Sequence, residues 1–537
     1  MSRLVSSHWW LLFFVLFFPL LIMYIYADFI RGSELNARFG WLILLGGIAY
    51  LLRHTALQKL MLGIIVLMAI SGSLDILYAV TFGGVFVSAS FEAVVLTDMH
   101  EAFEFLQAYA SIENIAVFTI YWLIAFYSLK RIFFKEPVFA RQKILAALGV
   151  LMLLVALQQI NQRGRTFDTI PGFTGVAIDY LNSHESIEEV VKNRRLLYKN
   201  SVFQASLKSD KPQTYVVVIG ESLGRKHLSL YGYQRATTPN LESNLSEMIV
   251  FENTISAFSQ TKPSLSVNLT EKDTVNHVPV AEALSLVGVF KRAGFKTFWL
   301  SNQQPLRLPT KPIAAVADQQ HFISHDFHGV EVRRYDGFLL PSVKEALEDK
   351  AKHKVIFVHL MGSHLQYENR FPADEVIFSG KAGINAYTDD LSDSQLDYIN
   401  AYDNSVHYTD FVLGEMINEL KNTPAITGLI YWSDHGEEVF DTKDFKGHSP
   451  DGVTSSMLEV PFLFWRNPVY QNEFTKINKT LASHIDAPIM LDDFFHIAQC
   501  MIPIKSDTIN LNKSLCLADY QVKSRRVYGK DYDKEIQ

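Results

Sequence analysis

Residues 214–224 read TYVVVIGESLG, an unbroken apolar run that ends in glycine, glutamate and serine. Five of its first six residues are β-branched, which favours an extended strand. A strand that is apolar at every position is typical of a parallel sheet buried on both faces. Because ligands of such sheets bind at the carboxyl ends of the strands, Glu221 and its neighbours lie where a functional site is expected.

The same pattern recurs along the chain as far as residue 465. Apolar runs alternate with segments of helical periodicity, which predicts an α/β domain with a mainly parallel sheet between helices, over residues 211–537. The further predicted strands are KTFWLS (296–301), HKVIFVHL (353–360), GLIYWSD (428–434) and VPFLFW (460–465), and the predicted helices cover 280–293, 341–352 and 403–421.

Three of these strands end in side chains that bind metals. Glu221 follows the first strand, His364 follows the second, and Asp434 with His435 follows the third. Parallel strands end at the same edge of a sheet, so we expect these side chains to converge. Carboxylates and imidazoles on rigid strand ends suit a divalent cation such as zinc, with one ligand position left for chemistry.

A serine nucleophile is a second interpretation of the first strand end. Residues 220–224 fit the G-x-S-x-G nucleophile elbow of α/β-hydrolases, with Ser222 as the attacking group. That mechanism requires a later acid and a separate histidine, for which His484 or His496 would have to be recruited. It leaves the Asp-His-Gly-Glu segment at 434–437 without a role, so the metal site is favoured.

The first 160 residues differ from the rest of the chain. They carry 10 of the 49 Lys and Arg residues and 9 of the 56 Asp and Glu residues. About 20 apolar helical residues cross a bilayer core of about 30 Å, and five apolar stretches predict five membrane spans. The second is short enough to be a buried hairpin arm instead. The stretches are 9–27, 39–53, 59–82, 113–129 and 143–160.

Charges between these stretches predict their orientation. Lys and Arg residues crowd the connection after the fourth stretch, whereas residues 83–112, after the third, hold acidic residues and no Lys or Arg. Because positive residues stay on the cytoplasmic side, we expect the N-terminus in the cytoplasm and residues 83–112 outside. The chain then leaves the fifth span on the outer side, and residues 211–537 form an extracytoplasmic domain.

Residues 161–210 link this transmembrane domain (1–160) to the extracytoplasmic one. Ser186 and Glu189 stand at capping-box spacing, which predicts a helix that begins near residue 187. Its mixed basic and apolar residues fit a solvated connector. They also fit an interfacial helix whose Lys and Arg residues lie against anionic headgroups.

The overall composition excludes several classes of protein. A chain of 537 residues with 49% hydrophobic and 20% charged residues is neither disordered nor a single small domain. Its net charge of -7 provides no basic surface for nucleic acid. Two cysteines, Cys500 and Cys516, exclude a disulfide scaffold and a four-thiolate metal site, and leave one bridge as an option outside the cytoplasm.

Together these motifs resemble the membrane-bound phosphoethanolamine transferases of Gram-negative bacteria, within the alkaline phosphatase and sulfatase superfamily. The resemblance covers nearly the whole chain. It rests on IGESLGRKHLSLYGYQRATTPNL (219–241), FKTFWLSNQQ (295–304), VHLMGSHLQYENRFP (358–372), YDNSVHYTDFVL (402–413), SDHGEEVFDT (433–442), VPFLFW (460–465) and, in the N-terminal part, FEAVVLTDMHEAFEFL (91–106).

The resemblance implies a zinc site formed by Glu221, Thr261, Asp434 and His435, with the hydroxyl of Thr261 as the nucleophile. One zinc ion is implied, and a second is left open. Thr261 lies in SQTKPSLSV, 40 residues after Glu221, at a position that also fits a helix N-cap.

Further residues are assigned by the same resemblance. His364 and His448 would line the site and contact the phosphoryl group or a leaving oxygen, although a surface position fits His448 equally well. Asp98 and Glu101 belong to the outward loop that would help to bind the lipid donor. Asn302, within FKTFWLSNQQ, is expected to bind substrate.

The activity implied is transfer of phosphoethanolamine from phosphatidylethanolamine to lipopolysaccharide core, lipid A or another envelope glycan. A phosphoethanolamine-threonine intermediate would form and diacylglycerol would leave. The enzyme would be a multi-pass protein of the bacterial inner membrane with its catalytic domain in the periplasm. With two cysteines, the chain looks closer to the cysteine-poor branch, which modifies lipopolysaccharide core sugars or other glycans.

Two other functions remain as alternatives. One is a phosphoglycerol transferase, phosphodiesterase or sulfatase of the same superfamily, although residues 259–263 do not match the C/S-x-P-x-R setting of sulfatases. The remoter one is a non-catalytic membrane sensor or assembly protein.

Overall fold

A computed structural model describes residues 9–26, 58–84, 102, 105–106, 109–134, 187–276, 278–303, 310–323, 335–518 and 520–536 of the protein. The chain divides into two units, residues 1–184 and residues 185–537, and each is described by itself.

The described helices and strands follow one another as an N-terminal set of helices and then a mixed α/β set. The helices are α1 (Trp9–Tyr26), α2 (Gln58–Phe82), α3 (Ile112–Phe134), α4 (Ile187–Asn200), α5 (Pro239–Glu242), α6 (Thr261–Asn268), α7 (Leu286–Ala293), α8 (Thr310–Ala314), α9 (Leu340–Glu348), α10 (Asp393–Lys421), α11 (Pro468–Glu473), α12 (Thr475–Ala482), α13 (Phe494–Met501) and α14 (Tyr532–Glu535). The strands are β1 (Ala205–Leu207), β2 (Gln213–Gly220), β3 (Met248–Val250), β4 (Thr254–Ile255), β5 (Lys296–Ser301), β6 (Gln319–Phe322), β7 (His353–His359), β8 (Ile426–Ser433), β9 (Glu438–Val439), β10 (Lys446–Gly447), β11 (Phe462–Arg466), β12 (Ile489–Met490), β13 (Ile504–Ser506), β14 (Arg526–Val527) and β15 (Lys530–Asp531).

The helices of the N-terminal unit fall on three of the predicted spans, the first, third and fourth. Among the described residues, Leu62–Phe82 is long and apolar enough to cross a membrane, and Phe17–Tyr26 and Asn114–Lys130 are shorter apolar segments. The predicted spans at 39–53 and 143–160 lie outside the described residues, so the five-span topology stays a prediction.

A small residue allows these helices to approach closely. A β-carbon on Gly72 of α2 would lie 2.6 Å from Cγ of Pro19 in α1 and 2.9 Å from the hydroxyl of Tyr121 in α3. The same Tyr121 hydroxyl donates a hydrogen bond of 3.0 Å to the carbonyl of Val15. Close contact at small residues and hydrogen bonds between helices are the interactions that hold membrane helices together.

A seven-stranded sheet organises the second unit, in the order β3-β11-β8-β2-β7-β5-β6. Strands β8, β2, β7, β5 and β6 run parallel to one another, which confirms the prediction of a mainly parallel sheet, and β6 is a strand that the sequence analysis did not predict. Strand β11 runs antiparallel to both β8 and β3, so the sheet is mixed and the expectation of a parallel strand at 460–465 is wrong. The connection between β8 and β11 holds a small hairpin instead of a crossover helix, and a return without a crossover is antiparallel.

Both faces of the sheet are buried, which confirms the interpretation of the apolar runs. Along β2, Tyr215, Val217 and Ile219 contribute to a core shared with α7 and α13. Val216 and Val218 point to the opposite face, where they contribute to a core shared with α9 and α10. These five side chains are fully buried, so the strand ends that they support are rigid.

Helix α4 begins at Ile187, as the capping-box spacing predicts, and Ser186 lies outside the described residues. Its Arg194 is fully buried and donates to the carbonyls of Ala283 and Val280. The hydroxyls of Tyr198 and Ser285 share a hydrogen bond of 2.9 Å. Helix α4 therefore packs against the α/β unit through its arginine, a contact that neither sequence-based interpretation of this helix included.

A disulfide joins Cys500 of α13 to Cys516, with their Cα atoms 5.7 Å apart. The single bridge that the sequence allowed is therefore present. It closes a loop of 16 residues at the edge of the larger core. Such a bridge persists in an oxidising compartment.

We predict that replacing both cysteines by alanine lowers the free energy of unfolding by about 3 kcal/mol, because the bridge restricts a short loop in the unfolded chain. The measurement is denaturant unfolding of the full chain in detergent. A reducing agent should destabilise the wild type and leave the double variant unchanged. Equal stability of the two proteins under oxidising conditions would contradict the prediction.

Candidate metal centre

Strand register brings the predicted ligands together at one edge of the sheet. Gly220 at the end of β2 pairs with Ser433 at the end of β8 in parallel register. Glu221 and Asp434 follow these paired residues, and His435 comes next. Thr261 enters the same place as the first residue of α6. The four residues that the resemblance assigned to the metal site are thus adjacent.

The hydroxyl of Thr261 lies at the centre of this group. Its Oγ1 is 3.3 Å and 3.4 Å from the carboxylate oxygens of Glu221 and 3.3 Å from Nε2 of His435. Nε2 of His435 is in turn 3.5 Å from Oε1 of Glu221 and 3.5 Å from Oδ2 of Asp434. One small volume is therefore surrounded by two carboxylates, an imidazole and a hydroxyl.

The donor set fits a divalent cation. Ligand atoms of Glu221, Asp434 and His435 lie within 4.8 Å of one another, and the three residues are buried. Oδ2 of Asp434 is a buried carboxylate oxygen that accepts no hydrogen bond. The Nδ1–H of His435 donates to the carbonyl of Gly436 at 2.8 Å, which leaves Nε2 with a lone pair directed at the group.

Burial shifts the protonation of these ligands. It raises the pKa of Glu221 to about 7, with Asp434 adding repulsion, and it raises the pKa of Asp434 to about 7. Burial also lowers the pKa of His435 to about 4. A cation at this position would favour the ionised carboxylates and the neutral imidazole, the forms that bind metals.

Among the hydroxyl groups of residues 259–266, that of Thr261 faces the candidate ligands Glu221 and His435. The N-cap of α6 is Gln260, so the suggestion that Thr261 caps the helix is wrong by one position. Ser259 donates to the carbonyl of Ser449, and Ser264 to that of Phe258. In the next turn of α6, Ser266 donates to the carbonyl of Lys262, within the helix.

Ser222 supports the ligands and does not pair with a histidine base. Its backbone has φ of 55°, a left-handed conformation that a non-glycine residue adopts rarely. Its hydroxyl donates to Oε1 of Glu221 at 2.9 Å and its amide donates to Oδ1 of Asp434 at 3.1 Å. His484 bonds to the carbonyl of Leu517 and His496 accepts from the amide of Asn510. The nucleophile-elbow interpretation therefore lacks its base.

A second group of ligands adjoins the first. His435, Glu437 and His448 also place their ligand atoms within 4.8 Å of one another. Nδ1 of His448 is hydrogen-bonded to Oε2 of Glu437 at 3.0 Å, and its ring centroid lies 4.1 Å from that of His435. Burial raises the pKa of Glu437 to about 8. His448 thus lies beside the first group of candidate ligands, and so does Glu437, which the sequence analysis did not select.

Gln303 is a further residue that the sequence analysis missed. Its Nε2 donates to Oε2 of Glu221 at 3.1 Å and to the carbonyl of Leu360 at 2.9 Å. The neighbouring Asn302 is fully buried and donates to Asp336 at 2.8 Å. The position of Asn302 does not support the expected contact with substrate, and the adjacent glutamine is the residue that reaches the ligands.

The loop that carries His364 is fixed to the same strand end. The amide of Ser363 donates to the carbonyl of Glu221 at 3.0 Å. Gly362 has φ of 54°, and a β-carbon there would lie 2.7 Å from that carbonyl oxygen, so only glycine fits. A contact of His364 with a phosphoryl group stays a prediction. Asp98 and Glu101 lie outside the described residues.

A buried ionic network holds the loop after His435. Nδ1 of His227 is 2.6 Å from Oδ1 of Asp403, and Nε2 is 3.0 Å from Oδ1 of Asp441. Asp403 also accepts from Arg235 at 2.7 Å and from the hydroxyl of Tyr233 at 2.9 Å. Burial opposes the charge on His227, but Asp441 and Asp403 outweigh it and raise its pKa to about 10. His227 is therefore an imidazolium that joins Asp403 on α10 to Asp441 in the loop after His435, which we call the ligand loop.

Comparisons with known proteins agree with this geometry. Residues 213–493 match the family model described as Sulfatase. The phosphoethanolamine transferase EptC of Escherichia coli K12 is 27% identical over 484 residues, which cover 85% of this chain and 82% of that protein. The resemblance inferred from the sequence is thereby confirmed.

Two solved structures are similar. The C-terminal periplasmic domain of EptC from Escherichia coli, crystallised in complex with Zn, has a TM-score of 0.56 and 29% identity, and covers 62% of this chain and 94% of that one. The integral membrane protein lipooligosaccharide phosphoethanolamine transferase A of Neisseria meningitidis has a TM-score of 0.66 and 18% identity, and covers 95% of this chain and 98% of that one. The second likeness shows a shared fold over nearly the whole chain.

We predict that His227→Gln lowers the free energy of unfolding at pH 6 by about 3–5 kcal/mol, because it leaves buried carboxylates without their cation. The pKa of His227 is raised by folding, so its contribution is complete below pH of about 6.5 and is lost as the pH rises through about 10. The difference in unfolding free energy between variant and wild type should therefore narrow as the pH rises from about 6.5 to about 10. Denaturant unfolding across this range measures it.

His484→Gln is the matched control, since this imidazole bonds to a backbone carbonyl. A His227→Gln difference that stayed constant over the pH range would show that His227 is not a charged bridge.

Proposed function

Because the chain belongs to the sulfatase family, we propose that it is a metal-dependent phosphoethanolamine transferase with Thr261 as its nucleophile. The observation that carries the proposal is the position of the Thr261 hydroxyl, 3.3 Å from both Glu221 and His435. Thr261 is half-buried, and a hydroxyl that is accessible among candidate metal ligands is arranged for activation as a nucleophile. Similarity to EptC, a phosphoethanolamine transferase, supports the group that is transferred.

Zinc is the proposed ion, held by Glu221, Asp434, His435 and Thr261. The zinc complex of the related EptC domain and the buried oxygen of Asp434 that accepts no hydrogen bond support this choice. When bound, zinc supplies a Lewis acid that lowers the pKa of a nearby hydroxyl and offsets charge on phosphoryl oxygens. Gln303 and Ser222 orient the carboxylate of Glu221 by donating hydrogen bonds to its two oxygens.

The proposed donor is phosphatidylethanolamine. Oγ1 of Thr261 forms a bond to phosphorus, and the bond from phosphorus to the diacylglycerol oxygen breaks. Phosphoethanolamine remains on Thr261 as a diester, and diacylglycerol leaves with a proton. The proton that the Thr261 hydroxyl loses is the one that the diacylglycerol oxygen gains. Burial lowers the pKa of His448 to about 4, so its neutral ring, beside His435 and hydrogen-bonded to Glu437, is placed to carry that proton from one oxygen to the other.

The proposed acceptor is a hydroxyl or phosphate of an envelope glycan, lipopolysaccharide core or lipid A. Its oxygen displaces Thr261 from phosphorus, which restores the threonine hydroxyl and completes a double displacement. The disulfide and the apolar helices support a periplasmic catalytic domain on an inner-membrane anchor. Tethering an enzyme to the bilayer raises the effective concentration of a lipid donor.

We predict that Thr261→Ala abolishes diacylglycerol release from fluorescent phosphatidylethanolamine, whereas Thr261→Ser retains part of it because a hydroxyl remains. Mass spectrometry of the wild type, quenched before acceptor is added, should find phosphoethanolamine on the peptide that contains Thr261. Treatment with a chelator should remove both signals, and zinc should restore them.

Ser266→Ala is the matched control, since this hydroxyl lies one turn further along α6 and bonds within the helix. It should retain wild-type release. Full release by Thr261→Ala would move the nucleophile elsewhere, and no release by the zinc-loaded wild type would overturn the proposed function.

We also predict that zinc affinity falls as the pH drops below 7, because Glu221 and Asp434, whose pKa values are raised to about 7 by burial, must lose protons to bind it. The dissociation constant should rise by about tenfold per pH unit for each proton displaced. Calorimetric titration in buffers of different ionisation enthalpy counts the protons released. Glu221→Gln should bind zinc more weakly and release fewer protons. Affinity that did not change between pH 8 and pH 5.5 would contradict this assignment of ligands.

A further inference from the structure

A surface pocket of about 450 Å³ lies beside the ligand loop and is not used by the proposed metal chemistry. Its walls come from the start of α10, from the chain just before it, and from the hairpin formed by β9 and β10. The side chains that matter here are Tyr387, Gln395, Tyr398, Phe440, Asp444 and Lys446.

The pocket shares its hairpin with the metal centre. Strand β9 begins directly after Glu437, and β10 ends directly before His448. Residues 440–445 close the hairpin, so Phe440 directly follows β9 and Lys446 is the first residue of β10. Consecutive Cα atoms are about 3.8 Å apart, which places Lys446 within about 8 Å of His448 along the backbone. A molecule in contact with Lys446 would therefore lie near His448.

Aromatic rings form the walls of the pocket. Tyr387 is 39% exposed, whereas Phe440 is buried and packs edge to face against Tyr398, with ring centroids 5.8 Å apart. The ammonium group of Lys446 lies 4.9 Å from the centroid of Tyr398. Sugar rings present C–H groups on their faces and hydroxyls at their rims. Aromatic faces bordered by polar groups match that chemistry.

Polar groups at the rim provide both donors and acceptors. Nε2 of Gln395 donates to Oδ1 of Asp444 at 2.8 Å and to the hydroxyl of Tyr387 at 3.4 Å. The amide of Gln395 is committed to these bonds and, through its oxygen, to the N-terminal cap of α10. The carboxylate of Asp444 and the phenol of Tyr387 are the groups that can exchange hydrogen bonds with neighbouring sugar hydroxyls. The ammonium group of Lys446 adds a cation for acidic substituents on the ring.

The backbone is strained where it forms the wall. Phe440 has φ of 62°, a conformation that is unfavourable for a large aromatic residue. Hydrogen bonds hold it there, from its own amide to the carbonyl of Phe445 at 3.1 Å and from the amide of Tyr387 to its carbonyl at 2.8 Å. Strain that the surroundings maintain tends to occur at functional sites. Here the strained backbone fixes the position of the Phe440 ring, and the hydrogen bond from the amide of Tyr387 joins that residue to the hairpin of β9 and β10.

We propose that this pocket binds a sugar ring of the acceptor glycan and presents the acceptor oxygen to the metal centre. The proposal rests on the transferase function and names the part of the protein that selects its second substrate. The donor lipid does not enter the pocket.

The experiment separates the two half-reactions in the full chain. Acceptor-independent release of diacylglycerol reports the donor step, and transfer to lipopolysaccharide in micelles reports the acceptor step. Tyr387→Ala and Lys446→Ala should each raise the KM for lipopolysaccharide about tenfold, the size expected for loss of one aromatic or charged contact. Diacylglycerol release should stay at the wild-type rate. Tyr387→Phe keeps the ring and loses the hydroxyl, so its KM should lie between those of the wild type and Tyr387→Ala.

Lys344→Ala on α9 is the matched control for Lys446→Ala, since Lys344 is exposed and makes a single long ion pair of 3.7 Å with Glu419. Saturation-transfer NMR with deacylated lipopolysaccharide oligosaccharide tests binding without turnover. Signals should be strong with the wild type and with Thr261→Ala, and weak with Tyr387→Ala. An unchanged KM and unchanged NMR signals in Tyr387→Ala would overturn the pocket assignment. Absence of diacylglycerol release in the wild type would instead overturn the transferase function.

Discussion

Two buried carboxylates at neighbouring strand ends impose the constraint on which the rest of the site depends. The parallel register of β2 and β8 fixes Glu221 beside Asp434, and both are fully enclosed. Their repulsion is unfavourable in a folded protein unless protons or a cation compensate it. Donors from Ser222, Gln303 and the amide of His435 surround them. Among their four oxygens, Oδ2 of Asp434 accepts no hydrogen bond. The cluster is therefore unfavourable for folding by itself and is suited to bind a cation.

The surrounding network shows how this arrangement is held. His227 bridges Asp403 on α10 and Asp441 on the ligand loop, and the hydroxyl of Tyr402 accepts from the amide of Gly224 and donates to the carbonyl of Ser222. Two strand-end loops are therefore tied to the same long helix. Ligands that are held from outside the metal centre keep their positions as the ion's coordination changes during a reaction.

Sequence patterns predict the parts of the site that follow directly from strand ends. Glu221, Asp434 and His435 each come one or two residues after an apolar run, so periodicity alone locates them at one edge of the sheet. The position of Thr261 required the family resemblance, because four hydroxyls lie between 259 and 266 and their directions depend on how α6 begins. The sequence does not distinguish Gln303 from its neighbour Asn302, because both are amides. Only the fold shows which of the two faces Glu221. The antiparallel direction of β11 was equally hidden, since an apolar run reports burial and not direction.

The hairpin after His435 is the part of the structure where chemistry and substrate choice can be separated. Its ends carry Glu437 and His448, whose contacts with His435 leave little freedom to vary. Between these ends, Phe440 and Lys446 line the surface pocket. Enzymes that share a metal centre differ in substrate through such flanking loops. Phe440 and Lys446 are joined to Glu437 and His448 by the short strands of one hairpin. In the proposed function, a sugar bound beside Phe440 and Lys446 is therefore kept at a constant distance from His448.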